Sequence, residues 1–454
     1  MPVENTSQQP RLFTTRRNFL ASTSALSAAA TLGATLAVPR AAHADSDETI
    51  KIALIGCGGR GTGAASQALA TNLGPVKLWA VADAFADRIE TSLNSLAKTP
   101  GMADKIDVPQ DRRFVGLDAY RKAIDSGVDL VVIAAPPGYR PQHFEYAVKA
   151  GKHVFMEKPV ATDAPGVRRL LAANHQAKSK GLKVGVGLQR HHDPVYLDLV
   201  KRLQDGAVGD ITFYRCYWDT SAPAKQPVKH DGLTELEYQV RNWYFFNWLS
   251  GDHIVEQHIH TIDVCNWIQG ATPISASGHG GRQVRTGREY GNIFDHHSVE
   301  FTYANGAKMF SNCRQIPGCY NQVAEFAHGT RGWSDVSGGS LFPSGSDEIR
   351  LRPNSRSRRT NDRANPFQIE HVDLMDAIRN SKDYNEVEYG ALSSMTAILG
   401  RMATYSGKLV TWDEALASAL QLTSDAEHWS DPAPLAPQAD GSYAIAMPGI
   451  TKAV

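Results

Sequence analysis

One hexapeptide constrains this fold more than any other feature. Gly56-Cys57-Gly58-Gly59-Arg60-Gly61 follows the β-branched run Ile50 to Ile55 at once, and a helix-forming stretch through Ala64, Ala65, Ala68 and Leu69 comes next. Strand, G-x-G-x-x-G turn and helix open a Rossmann unit. Gly56 makes the tight turn, Gly58 lets the backbone approach a pyrophosphate, and Gly61 lets helix and strand pack closely. Gly59 and Arg60 complete the loop, and the helix N-terminus stabilises the phosphate charge. A second strand, Val76 to Ala82, ends in Asp83, about 20 residues beyond the loop, the spacing of a ribose-binding acid. A carboxylate there accepts from the ribose hydroxyls and repels a 2′-phosphate, so NAD is expected; Arg60 and Arg88 are the residues that would admit NADP instead.

The alternation continues. Val128 to Ala135 is a buried strand closed by Pro136-Pro137, Pro141 to Ala150 is a helix with Gly151 at its C-cap, and Lys152 to Met156 is another strand. Alternating strands and helices specify a parallel, doubly wound sheet, with ligands at the strand C-terminal ends. Pro136, His143, Glu157 and Lys158 follow strand ends and are expected at the cofactor.

The first 44 residues are of another kind. Thr15-Arg16-Arg17-Asn18-Phe19-Leu20 precedes a weakly apolar run rich in Ala, Ser and Thr, and Ala42-His43-Ala44 offers a small-x-small cleavage point. This pattern resembles a twin-arginine (Tat) export signal, carried by the Tat machinery to the periplasm or beyond. No other segment is long and apolar enough to span a membrane. Tat export moves folded proteins, so the cofactor is expected to be loaded beforehand and held tightly. The 454 residues carry 47 basic and 47 acidic side chains, which gives no general attraction to nucleic acid. Five cysteines without a CxxC pair argue against a disulfide framework; buried or free thiols are expected, with at most Cys313 and Cys319 paired if their strands place them suitably.

At Glu157-Lys158-Pro159 a resemblance emerges. Gly56 to Gly61, Asp83, the stretch from Ala134-Ala135-Pro136 to His143, Ala150 to Pro159, and His260-Thr261-Ile262-Asp263 together resemble the glucose–fructose oxidoreductase, inositol dehydrogenase and MocA family (Gfo/Idh/MocA). The resemblance implies an α/β fold: an N-terminal Rossmann domain followed by an α/β domain with a large, open, mostly antiparallel sheet. It also implies a homo-oligomer through that sheet. Strand-like runs at Ile211 to Tyr217, Ser298 to Tyr303, Ala307 to Cys313 and Val323 to His328 fit, with Asn305-Gly306 as a hairpin turn. Domain bounds are placed at 1–44 for the signal, 45–185 for the Rossmann domain, 186–430 for the substrate domain and 431–454 for a peripheral tail. Within the substrate domain, Phe367 to Ile378 and Ala391 to Tyr405 have helical spacing and are expected to pack back, and Asp347 to Arg363 reads as an exposed loop.

By the same resemblance Lys158 assists proton transfer at a substrate carbinol, which needs a cation able to bond an oxygen gaining negative charge. If Gly251 to Asp263 is one helix, His253, Glu256, His260 and Asp263 share a face. His260 is then the proton-transfer partner, Glu256 the supporting acid–base group and Asp263 the orienter. Family members often have Asp and Gly where this chain has Glu256 and His258. His191, His258, Asp263, Arg241 and Trp243 are the expected substrate contacts; Trp243 belongs to an aromatic-rich stretch, Trp218 to Trp248, suited to sugar faces or to core packing. A zinc site at His253, Glu256, His258 and His260 is the rival use of that segment; the resemblance requires no metal, and none is expected. The combined reading is an NAD(P)-dependent oxidoreductase acting on a CH–OH group of a carbohydrate or cyclic polyol. The rivals are a redox-neutral glycosidase that oxidises, eliminates and reduces, and a non-enzymatic sugar-binding protein.

Overall fold

The computed structural model describes residues 48–352 and 365–452. The proposed signal, 1–44, and residues 353–363 of the expected Asp347–Arg363 loop lie outside that range.

Among the described residues the first sheet has six parallel strands: β1 (Ile50–Ile55), β2 (Val76–Asp83), β3 (Arg113–Val115), β4 (Leu130–Ile133), β5 (His153–Met156) and β6 (Val184–Val186), in the order β3-β2-β1-β4-β5-β6. Its central strands are buried on both faces, which is why they read as unbroken apolar runs. The order reverses beside β1, and the ligand crevice of such sheets opens at that point. β4 is shorter than the run Val128 to Ala135 because Ala134, Ala135 and Pro136 turn away to wall the crevice. The helix Pro366–Arg379, late in the chain, closes this sheet: Leu374, Met375 and Ile378 share a core with Ile52, Leu54 and Phe155.

The second sheet has nine strands: β7 (Ile211–Thr220), β8 (Ser275–Gly281), β9 (His296–Thr302), β10 (Lys308–Gln315), β11 (Gln322–Gly329), β12 (Gly332–Asp335), β13 (Ser340–Pro343), β14 (Ile349–Arg350) and β15 (Val410–Thr411). Their order is β14-β13-β12-β11-β7-β10-β9-β8-β15, antiparallel except for β7 beside β10. Asn305-Gly306 turns β9 into β10, with Gly306 at φ +86°. The helices Ile259–Gln269 and Val387–Ser406 cover one face. Phe310, Val323 and Trp333 stand exposed on the strands.

Two expectations need correction. Ile349–Arg350 is a strand rather than loop, because the edge of β13 offers backbone partners that side-chain polarity does not reveal. The region after 430 is not merely peripheral: Tyr443 is buried, its ring edge-on to Phe246 at 5.0 Å and its hydroxyl donating to Glu235. The cysteines are free thiols, as favoured from the sequence; Cys313 is buried in β10 and Cys319 is exposed beyond it.

Candidate active site

A cavity of about 480 Å³ runs from the glycine loop to the second domain. Gly56, Gly58, Gly59, Arg60 and Gly61 line one stretch of it. Gly56 lies at φ +93°, and a Cβ there would meet the Ala135 nitrogen at 2.4 Å. A Cβ on Gly61 would sit 1.9 Å from the Gly56 carbonyl oxygen. A Cβ on Gly58 or Gly59 would meet nothing within 4 Å. Two glycines therefore hold the turn closed and two leave open space in front of it. Gly58 caps the helix Gly59–Leu69 with no side-chain acceptor, so the first N–H groups of the helix face that space. This cradle fits a pyrophosphate.

Asp83 lies at the end of β2 and lines the same cavity. Its carboxylate accepts from the Cys57 N–H at 2.7 Å and the Phe85 N–H at 2.9 Å. Burial pushes its pKa up despite these donors. Arg241 reaches this end of the cavity, not the reacting end. It pairs with Asp87 at 2.8 Å and lies over the Phe85 ring at 3.9 Å. Trp429 stacks on Phe85 at 5.2 Å, and Glu427 pairs with Arg121. Segments of the second domain and the chain end thus flank the adenosine end of the groove.

His143 lines the cavity stacked on Tyr120 at 4.2 Å, beside Pro136. Burial, with the positive charge of Arg140, lowers its pKa to about 3. Glu157 pairs with Arg60, whose guanidinium also reaches Glu370 at 3.4 Å. Lys158 follows. Its Nζ donates to the Glu256 carbonyl at 2.6 Å and lies 3.5 Å from Glu256 Oε1. Glu256 and His260 both line the cavity and both are buried. Burial, then the charges of Lys158 and Arg190, hold the His260 imidazole well below the ordinary histidine range, so it is neutral. Its Nδ1 is buried without a hydrogen-bond partner, and its ring stacks on Trp218 at 5.6 Å. Gln257, whose amide donates to the Glu256 carboxylate, stands at this end, and Trp243 also lines the cavity.

Gly251 to Asp263 is not one helix. A short helix, His253–Glu256, stops and a second begins at Ile259. In a continuous helix the Glu256 carbonyl would accept from the His260 N–H. Lys158 takes that carbonyl instead, and the His260 N–H turns to Gln257 at 3.5 Å. The break changes which side chains meet. Glu256 and His260 remain together at the cavity, but His253 is withdrawn beside Asp252. His258 is also withdrawn, bonded to Ser311 at 2.7 Å and Thr261 at 2.6 Å. Asp263 does not line the cavity; it accepts from Ser393 at 2.7 Å and sits 2.9 Å from His191. His191 is held outside the cavity between the rings of Trp267 and Tyr389. The four donors of the rival zinc reading are therefore not brought together.

Sequence reasoning missed Arg140, which is buried and braces the Lys158 loop through the carbonyls of Ala135, Glu157 and Pro159. An arginine just after a strand-ending Pro-Pro-Gly was the available signal. Glu370 left none, being separated from Arg60 by most of the chain.

Comparison with known proteins agrees with this architecture. Residues 50–188 match the GFO_IDH_MocA model, an oxidoreductase family with an NAD-binding Rossmann fold, and residues 196–334 match the GFO/IDH/MocA C-terminal domain. The scyllo-inositol 2-dehydrogenase (NAD(+)) of Bacillus subtilis (strain 168) is 29% identical over 36% of this chain and 42% of its own length. The inositol 2-dehydrogenase of Rhizobium meliloti (strain 1021) is 27% identical over 63% of this chain and 74% of its own. The chain thus spans less than half of the first relative and about three quarters of the second. The solved scyllo-inositol dehydrogenase of Lactobacillus casei, with NAD(H) and scyllo-inositol bound, shares the fold at a TM-score of 0.58 and 19% identity, covering 80% of this chain and 99% of that one. With both of its domains matched over more than half of its length, this chain belongs to the GFO/IDH/MocA family of NAD-binding Rossmann-fold oxidoreductases.

Proposed function

We propose that this protein oxidises a secondary hydroxyl of a sugar or cyclic polyol, using NAD as the hydride acceptor. The observation that carries the reading is the convergence of Lys158, Glu256 and neutral His260 at one end of a cavity whose other end is the glycine cradle. The names of the inositol dehydrogenase relatives support the substrate class.

When bound, NAD supplies the carbon that takes hydride from the carbinol. The chain supplies the proton path. His260, neutral and lining the cavity, accepts the hydroxyl proton at a ring nitrogen. Lys158 carries three N–H donors; two face Glu256, and the third is left for the substrate oxygen as its charge grows. Glu256 holds Lys158 in place through its backbone carbonyl and its carboxylate. Trp243 offers a flat apolar wall of the kind sugar rings stack on.

We further read residues 1–44 as a Tat signal and the protein as exported with its cofactor already bound. The Arg241–Asp87 pair and the Trp429–Phe85 stack, flanking the adenosine end, support slow cofactor release. Phe310, Val323 and Trp333, exposed on the open sheet, support a homo-oligomer through that face. Fractionating cells that express wild-type or Arg16→Lys/Arg17→Lys chains tests export: the reading expects the double variant to stay in the cytoplasm. Sedimentation of Trp333→Arg tests the sheet interface, with a shift toward monomer expected.

The activity is tested by incubating purified protein with inositols, free sugars and glycosides without added NAD. Reduction of the bound nicotinamide by a polyol or sugar is expected. Release of a sugar from a glycoside with no net reduction would favour the redox-neutral glycosidase, and silence across the panel would favour a binding protein.

A further inference from the structure

His260 is held from behind, by residues that do not line the cavity. The turn Gln189–His192 follows β6, the last strand of the first sheet. Arg190 of this turn is largely buried, and its Nη1 donates to the His260 carbonyl at 2.9 Å. The same Nη1 pairs with Oε1 of Glu325, a fully buried carboxylate on β11. Glu325 Oε2 accepts from the Tyr196 hydroxyl at 3.1 Å, and the Arg190 guanidinium lies over the Tyr196 ring at 5.4 Å. The next residue, His191, meets the same helix one turn on, 2.9 Å from Asp263. Two consecutive residues of one turn thus clamp the start of the helix Ile259–Gln269.

The imidazole depends on that clamp. A proton-transfer histidine is commonly aimed by a carboxylate or carbonyl at its second ring nitrogen. Among the described residues, His260 Nδ1 is buried with no such partner. The Trp218 ring steadies one face of the imidazole at 5.6 Å, and the rest of its aim comes from its own main chain. The charged groups around it are Lys158 and Glu256 at the cavity, Arg60 of the glycine loop and Arg190. Asp263, on its own helix, is taken by Ser393 and His191, and Glu325 by Arg190 and Tyr196.

We propose that Arg190 is a positioning residue for His260: it fixes the His260 main chain against β11 and sets one positive charge behind the imidazole. The proposal rests on the reading of His260 as acceptor of the hydroxyl proton. The main-chain bond decides where the ring nitrogen points when a hydroxyl enters the cavity. The charge decides whether that nitrogen is free to accept. Together with burial and Lys158, it disfavours the imidazolium form and keeps the ring neutral. Glu325 is what allows a guanidinium to be buried there, because it pairs with it and has its own second oxygen satisfied by Tyr196. Without the cation the ring would take up a proton at higher pH, and less of it would be available as a base.

The test reads His260 directly. Full-length, NAD-loaded protein with isotope-labelled histidine is titrated by NMR, the His260 signal being assigned by its loss in His260→Asn. Arg190→Gln alone would strand the Glu325 charge in the interior. The pair is therefore exchanged together, as Arg190→Gln/Glu325→Gln, with Arg190→Lys as the variant that keeps the charge. In the double variant the His260 titration should move up by about one pH unit or more, and in Arg190→Lys it should stay at the wild-type position. Reduction of bound nicotinamide by a reactive polyol should show the same upward shift of its acid limb, with NAD affinity unchanged. On the plateau above that limb the double variant should be about 10- to 100-fold slower, because its ring has lost its aim. A double variant whose His260 titrates like wild type overturns the proposal, as does one with the wild-type plateau rate. A wild type that no polyol or sugar reduces overturns the dehydrogenase reading instead; the shifted titration alone would then uphold the placement of the Arg190 charge behind His260.

Discussion

Adding one methyl group at different glycines of the same loop should break different things. At Gly61 the new Cβ would fall 1.9 Å from the Gly56 carbonyl oxygen, with the Ala134 Cβ at 3.1 Å. Both obstacles are rigid, so the helix must move off β1. Overpacking of this kind costs about 1–3 kcal/mol, which lowers the Tm of a domain of this size by roughly 2–12 °C. Gly58→Ala meets nothing within 4 Å, and Gly58 has φ −72°, a value alanine accepts. Its stability should match wild type to within about 0.5 kcal/mol. Its methyl instead occupies the space left for the pyrophosphate and separates the anion from the helix N-terminus. Losing about 1–3 kcal/mol of binding there raises the NAD Kd roughly 5- to 150-fold. Thermal unfolding of the dinucleotide-free proteins and fluorescence titration with NAD separate the effects. Gly58→Ala binding NAD like wild type, or Gly61→Ala as stable as wild type, would refute the assignment of this loop as a pyrophosphate cradle braced by Gly61.

Three further outcomes are expected. His143 and His371 are fully enclosed, and burial lowers both pKa values to about 3. They stay neutral when folded but protonate near pH 6.5 when unfolded, so stability is complete above pH 6.5 and falls as the pH drops; each should remove about 2 kcal/mol by pH 5. Urea midpoints at the two pH values measure this, and His371→Phe should lose its share of the pH dependence. Arg241→Ala removes the Asp87 pair and the Phe85 contact, and stopped-flow displacement should show NAD leaving about 5- to 30-fold faster. Asp83→Ser should weaken NAD and improve NADP relative to it, read as the ratio of their Kd values.

The Rossmann half was the more legible in sequence because its chemistry is local. A buried parallel strand is an apolar run, and the glycine loop announces its own turn. The second sheet was harder. β7 continues to Thr220, three residues past the run that ends at Tyr217, because β10 supplies ladder partners for Trp218 to Thr220 and β11 for Trp218 and Asp219. The polar residues there carry no sign of that pairing. At the site, Lys158 and His260 were readable from motif and spacing. Asp263 was not, because helical spacing assumes an unbroken helix, and His191 and His258 were not, because the partners that withdraw them, Trp267, Tyr389 and Ser311, are distant in sequence. Lys158, almost a hundred residues earlier, takes the Glu256 carbonyl and breaks that helix. The part-buried Arg60–Glu370 contact joins positions so distant that only the folded chain reveals it.

The most direct measurement follows the nicotinamide of the NAD-loaded protein when a reactive polyol or sugar is added, in wild type and in Lys158→Met. Wild type should show the near-ultraviolet absorbance of reduced nicotinamide within one turnover. Lys158→Met should retain the dinucleotide, since the glycine cradle is untouched, yet reduce it at least about 100-fold more slowly. Equal rates in the two proteins would contradict the placement of proton transfer at Lys158, Glu256 and His260.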